Sequence, residues 1–171
     1  MRVYLPSTLP ALAAAMATGE IATGPHPGFA VTPALREWYE EGREEELEYA
    51  AMAEAARASL RLLGADPTIP RRRVVVAVEV DDKAVALPPG GELSDRGSVQ
   101  LTGSVPVAKV VSAHVDDVIA ESDVAAAVAA LPTADEGDED AQFTVDGAEG
   151  HELMWYATQE LPDLVSDFTS R

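Results

Sequence analysis

Short apolar runs alternate along the chain with longer stretches whose apolar residues recur three and four positions apart. The most apolar segment is 72–80, where Val74, Val75, Val76, Ala77 and Val78 follow one another without a polar residue. An unbroken run of that length predicts a strand covered on both faces. Further strands are predicted at 2–5, 29–31 and 98–101, and a longer one at 105–115 with Val105, Val107, Val110 and Val111 toward the core. Helical spacing begins at Ser7 or Thr8, either of which can cap a helix that carries Pro10 in its first turn, buries Leu9, Leu12, Ala13 and Met16, and stops at Gly19. Thr32 followed by Pro33 starts a second helix bearing Leu35, Trp38 and Tyr39. A third, over 43–63, presents Leu47, Ala51, Ala55, Ala58 and Leu62 as one apolar stripe. A fourth, over 117–131, turns Ile119, Val124, Val128 and Leu131 inward. Residues 151–160 read as a last helix, which Pro162 bends or restarts before Phe168.

Strands alternating with helices predict an α/β fold: one domain, with a mixed sheet of about four to five strands covered by helices. Residues 1–132 form its core. Residues 133–141 hold five acids and no base and read as a flexible acidic loop. Residues 142–171 form a C-terminal helical segment, and Leu153, Trp155, Tyr156 and Leu161 are apolar enough to dock it on the core. Residues 82–97, with Pro88, Pro89, Gly90 and Gly91, read as a polar loop.

Charge narrows the choice of partners. The formal net charge is −18. Residues 36–54 contribute eight acids and two bases, and 133–171 eleven acids and one base. Nucleic-acid binding draws most of its affinity from neutralised phosphates, so so acidic a chain is a poor candidate for it. The same repulsion disfavours an anionic membrane surface. No apolar stretch reaches the length of a membrane span, and the apolar run at 9–17 is better explained by a strand followed by a helix than by a signal peptide. The absence of cysteine excludes disulfides and thiol chemistry and fits a cytoplasmic location.

Two polar clusters are candidates for chemistry. Ser112, His114, Asp116 and Asp117 stand where a strand gives way to a helix. His114 can serve there as a general base, with Asp116 orienting it or holding a metal, or Asp116 and Asp117 can simply cap the helix beside a partly exposed strand-end histidine. His151 and Glu152 open the last helix but lack the second histidine of a zinc protease. On that helix Glu152, Tyr156 and Glu160 would share one face, and His151, Trp155 and Gln159 its neighbour. Such a mixed aromatic and carboxylate surface suits ligand or partner binding by Trp155, Tyr156, Gln159 and Glu160. The acids Asp135, Glu136, Asp138, Glu139 and Asp140 lack the spacing of a calcium loop. No metal site or cofactor is expected. Arg71, Arg72 and Arg73 form the one basic run, with Arg57 and Arg61 a turn apart. They can bind a small anion, pair with nearby acids or guard the start of a strand. Neither a phosphate-binding glycine loop nor a Gly-x-Ser-x-Gly nucleophile motif is present.

Four stretches carry a resemblance: MRVYLP at 1–6, AVTPALREWY at 30–39, VVSAHVDD at 110–117 and HELMWYATQE at 151–160. The chain resembles, along nearly its whole length, a family of uncharacterised actinobacterial proteins. The resemblance implies a bacterial cytoplasmic protein and assigns no functional residue. Two readings follow. In the first this is a non-catalytic interaction protein whose partner is a protein. In the second it is an enzyme or small-ligand binder using His114, Asp116 and the C-terminal helix.

Overall fold

The computed structural model describes residues 1–88 and 96–169. In chain order the strands are β1 (Arg2–Ser7), β2 (Glu20–Ala22), β3 (His26–Phe29), β4 (Val74–Glu79), β5 (Val85–Ala86), β6 (Ser98–Leu101), β7 (Val105–Pro106), β8 (Val110–Val115) and β9 (Met154–Ala157). The helices are α1 (Leu9–Thr18), α2 (Pro33–Trp38), α3 (Glu44–Ala65), α4 (Glu121–Asp135), α5 (Glu139–Gly147) and α6 (Leu161–Thr169). Among the described residues seven strands form the main sheet in the order β5-β6-β3-β1-β4-β8-β9, and β2 pairs with β7 apart from it.

β4 lies inside this sheet, between β1 and β8. Val74, Val75, Val76 and Val78 have no exposed surface. Fully burying a valine is worth about 1.5–3 kcal/mol, so β4 is stable only with both faces covered. On one face Val3, Leu5, Val74, Val76, Val78, Ala113 and Val115 pack with Leu9 and Leu12 of α1 and Leu161 of α6. On the other, Tyr4, Phe29, Val75 and Ala77 meet Leu35 of α2 and Leu47, Ala51 and Ala55 of α3. A third cluster joins Leu60 and Leu63 of α3 to Val124, Ala127, Val128 and Leu131 of α4 and Val145 of α5.

Local signals set several boundaries. The Thr8 hydroxyl accepts a hydrogen bond from the Ala11 amide, and α1 ends at Gly19, whose φ of +86° is a left-handed stop. The Thr32 hydroxyl caps α2 through the Leu35 amide. Ser59 ties helix to sheet: its hydroxyl donates to the Ser7 carbonyl at 2.8 Å and accepts from the Val74 amide at 3.1 Å.

Several sequence expectations are corrected. The sheet has seven strands rather than four to five, and each of its pairings is antiparallel, so it is not mixed. β5 has only two residues, too few for a period to show. The segment 151–160 is no helix: its centre is β9, paired along β8. Consecutive apolar residues fit either period, and here the available sheet edge decides. The C-terminal helix that docks is α6, through Leu161 with Leu164, Val165 and Phe168. The strand predicted at 105–115 breaks at a short turn of helix over 107–109, so Val105 pairs in the small sheet while Val110 enters the main one.

Residues 133–141, expected to be a loop, comprise the last turn of α4, a turn at Gly137 with φ +97°, and the start of α5, capped by Asp138. α4 continues past Pro132 because Leu131 is buried against its neighbours. On α3 the buried stripe is Leu47, Ala51, Ala55, Ala56, Ser59, Leu60 and Leu63, and Leu62 is 43% exposed. Ile119, expected inside, is 79% exposed because 118–120 form a separate turn ahead of α4. Residues 89–95 of the predicted polar loop lie outside the described residues.

Ser59→Ala removes the shared partner of two buried backbone groups. The expected loss is about 1–3 kcal/mol, measured by urea denaturation, against under about 0.5 kcal/mol for the exposed Ser166→Ala.

Candidate functional site

β8 ends at Val115, and Asp116 turns from there into a nest of arginine donors. Its Oδ2 accepts from the Arg73 backbone amide at 2.7 Å and from Arg73 Nε at 2.8 Å, and its Oδ1 accepts from Arg73 Nη2 at 2.7 Å. The two side chains are 3% and 0% exposed. Arg73 Nη2 also donates to the His151 carbonyl at 2.8 Å, and Arg72 Nε donates to the Asp116 carbonyl at 2.9 Å. These charge-assisted bonds place Asp116 in a structural clamp rather than behind an imidazole.

His114 sits two residues back and is half-buried. Its Nε2 meets the Ser112 hydroxyl at 3.1 Å, so the expected His114 and Asp116 couple does not assemble. Burial pushes the imidazole below its ordinary value of 6.5, and the positive Arg2 adds to the effect.

β9 sorts the aromatic candidates by strand alternation. Trp155 stands directly opposite His114 and Tyr156 opposite Ala113. Successive side chains on a strand point to opposite faces. Tyr156 accordingly packs against the core shared with α1 and α6. Trp155 lies on the α3 side of the sheet and is 62% exposed, because α3 packs over β1, β4 and β3. Gln159 and Glu160 are exposed in the turn after β9. The Glu160 carboxylate accepts from the Ala157 amide at 2.7 Å and thereby occupies one donor near the sheet edge.

His151 and Glu152 border a different groove of about 350 Å³ beside α3, with Arg57, Glu149 and Leu153 also in its walls. His151 Nε2 meets Asp123 Oδ2 at 2.7 Å. The candidates are thus divided: His114 and Trp155 on the sheet face, Asp116 in the clamp, His151 and Glu152 in the groove, and Tyr156 behind the sheet. Among the described residues no group of three or more His, Asp or Glu is placed to hold a metal ion.

The arginines are divided as well. Arg57 pairs with Asp146 and Glu149, and Arg61 with Asp135 through two bonds of 2.9 Å, so both tie α3 to the α4–α5 unit. Arg71 donates to the Leu63 and Asp66 carbonyls and closes the end of α3. Arg72 borders a cleft of about 500 Å³ that also takes in Glu121, Tyr156 and α6. The basic run pointed to Arg72, whereas nothing in the sequence marked Glu121.

A model of a family of unknown function, DUF6912, matches residues 1–165. The chain belongs to that family. No curated protein and no solved structure matches it. Membership agrees with the whole-length resemblance read from the four stretches, and it carries no activity. Among the described residues of this family member no helix is long and apolar enough to cross a membrane.

The state of His114 can be read from stability. The unfolded chain binds the imidazole proton near 6.5, and the folded protein binds it only at lower pH. Between the two the unfolded state holds more protons, so stability falls on acidification through that window and levels off below the folded value. His114→Gln is expected to flatten this part of the profile in denaturation curves taken from about pH 8 to about pH 5. An unchanged slope would contradict the placement.

Proposed function

We propose that this protein is a non-catalytic interaction protein of the actinobacterial cytoplasm, and that its partner is another protein. The docking surface is the part of the sheet face beyond α3, with Trp155 at its centre and His114 beside it. The observation that carries the reading is the exposure of Trp155, a large aromatic held on a paired strand rather than on a loose tail. Rigid exposed tryptophans bury much area at little entropic cost and are over-represented among residues that dominate binding energy. The net charge of −18 favours a partner with a basic rim. The side chains of His114, Asp116 and His151 bond to different partners, Ser112, Arg73 and Asp123, which supports the non-catalytic side of the proposal.

The test compares immobilised wild-type protein, Trp155→Ala and Phe143→Ala in capture from the native cytoplasm. Phe143 is also exposed but lies on α5. Both changes are expected to leave stability within about 0.5 kcal/mol. A basic protein should bind wild type and Phe143→Ala alike, with Trp155→Ala weaker by about 2 kcal/mol or more, roughly thirtyfold. Equal capture by all three proteins would remove Trp155 from the site.

A further inference from the structure

The second face of β9 leads to a separate site. Tyr156 borders the 500 Å³ cleft, whose apolar walls include Leu9, Ile69, Leu164 and Phe168. The cleft is large enough for a small organic ligand and has the mixed lining such sites show. Its charged residues set it apart from an ordinary crevice. Arg72 is half-buried, and its Nε is held by the Asp116 carbonyl at 2.9 Å. Among the described residues its two terminal nitrogens form neither a hydrogen bond nor an ion pair. Glu121, the first residue of α4, is half-buried on the same cleft, and its carboxylate likewise has no partner among the described residues. The two opposite charges therefore share one apolar cleft without satisfying each other. Asp167 adds a second acid to the lining.

We propose that this cleft binds a small zwitterion with an apolar body, of the chemical type of an aromatic or branched-chain amino acid. The ligand carboxylate pairs with the terminal nitrogens of Arg72, which suit that planar anion. The ligand ammonium pairs with Glu121. The apolar body lies against Leu9, Ile69 and Phe168. The Nε bond fixes the guanidinium before the ligand arrives, so less side-chain freedom is lost on binding. A simple anion would meet the carboxylate of Glu121, and a simple cation would meet Arg72, so each is disfavoured where a zwitterion is matched. The site is independent of the Trp155 surface, which lies on the other side of β9.

The test is isothermal titration calorimetry of the full chain with L-phenylalanine and L-leucine. N-acetylphenylalanine lacks the ammonium, phenylalaninamide lacks the carboxylate, and glutamate lacks the apolar body. Phenylalanine or leucine should bind with one-to-one stoichiometry, and all three controls should bind at least about tenfold more weakly. Arg72→Gln and the isosteric Glu121→Gln should each weaken binding by about tenfold or more with an unchanged circular dichroism spectrum. Should Arg72→Gln unfold the chain, Glu121→Gln carries the test alone. Trp155→Ala should bind the amino acid as wild type does. No heat from either amino acid, equal binding of the charge-blocked analogues, or equal binding by Glu121→Gln would each overturn the proposal.

Discussion

The buried ion pair between Arg73 and Asp116 fixes the relation of three parts of the chain. Arg73 immediately precedes the central strand β4, Asp116 immediately follows β8, and the same guanidinium reaches the carbonyl of His151, just before β9. Two charges removed from water this completely are costly unless every donor and acceptor is met. Here three bonds join the pair, and both backbone neighbours contribute: the Asp116 amide donates to the Arg73 carbonyl at 3.1 Å. The clamp therefore acts as a register mark for β4, β8 and β9.

Both proposed surfaces depend on that register. Because β9 is paired to β8 with Trp155 opposite His114, one aromatic faces away from the core and the next, Tyr156, faces into it. A slip of one residue would exchange them. The clamp also holds the Asp116 carbonyl where Arg72 Nε can reach it, which leaves the far end of Arg72 directed to the cleft wall. One structural pair thus stands behind a proposed protein surface on one side of the sheet and a proposed ligand cleft on the other.

What the sequence revealed follows from how each element is stabilised. β4, α1 and α2 were legible because their signals are local: an unbroken apolar run, and hydroxyl caps at Thr8 and Thr32. β9 was not, because Met154, Trp155 and Tyr156 carry no period and the strand exists through its pairing with β8. The α4–α5 turn looks like a loop in the sequence because its acids mask helix ends whose stability comes from packing of Leu131 and Val145. Of the site, Trp155 and Tyr156 stand out in the sequence as an aromatic pair, but strand alternation rather than helical rotation separates them into an exposed ring and a half-buried one. His114 and Asp116 were rightly singled out as a strand end, but only three-dimensional contact shows that Asp116 bonds to Arg73, 43 positions away. Glu121 left no signal, since a lone acid at a helix start is ordinary.

The claim that the clamp organises the sheet is tested most directly by a double-mutant cycle on Arg73→Met and Asp116→Leu, read by urea denaturation. Removing either partner alone strands the other charge in the interior, at an expected cost of about 3–5 kcal/mol. Removing both eliminates the stranded charge, so the double variant should lose less than the sum of the singles by about 1–3 kcal/mol. Single variants that each lose under about 0.5 kcal/mol, or losses that simply add, would contradict the account.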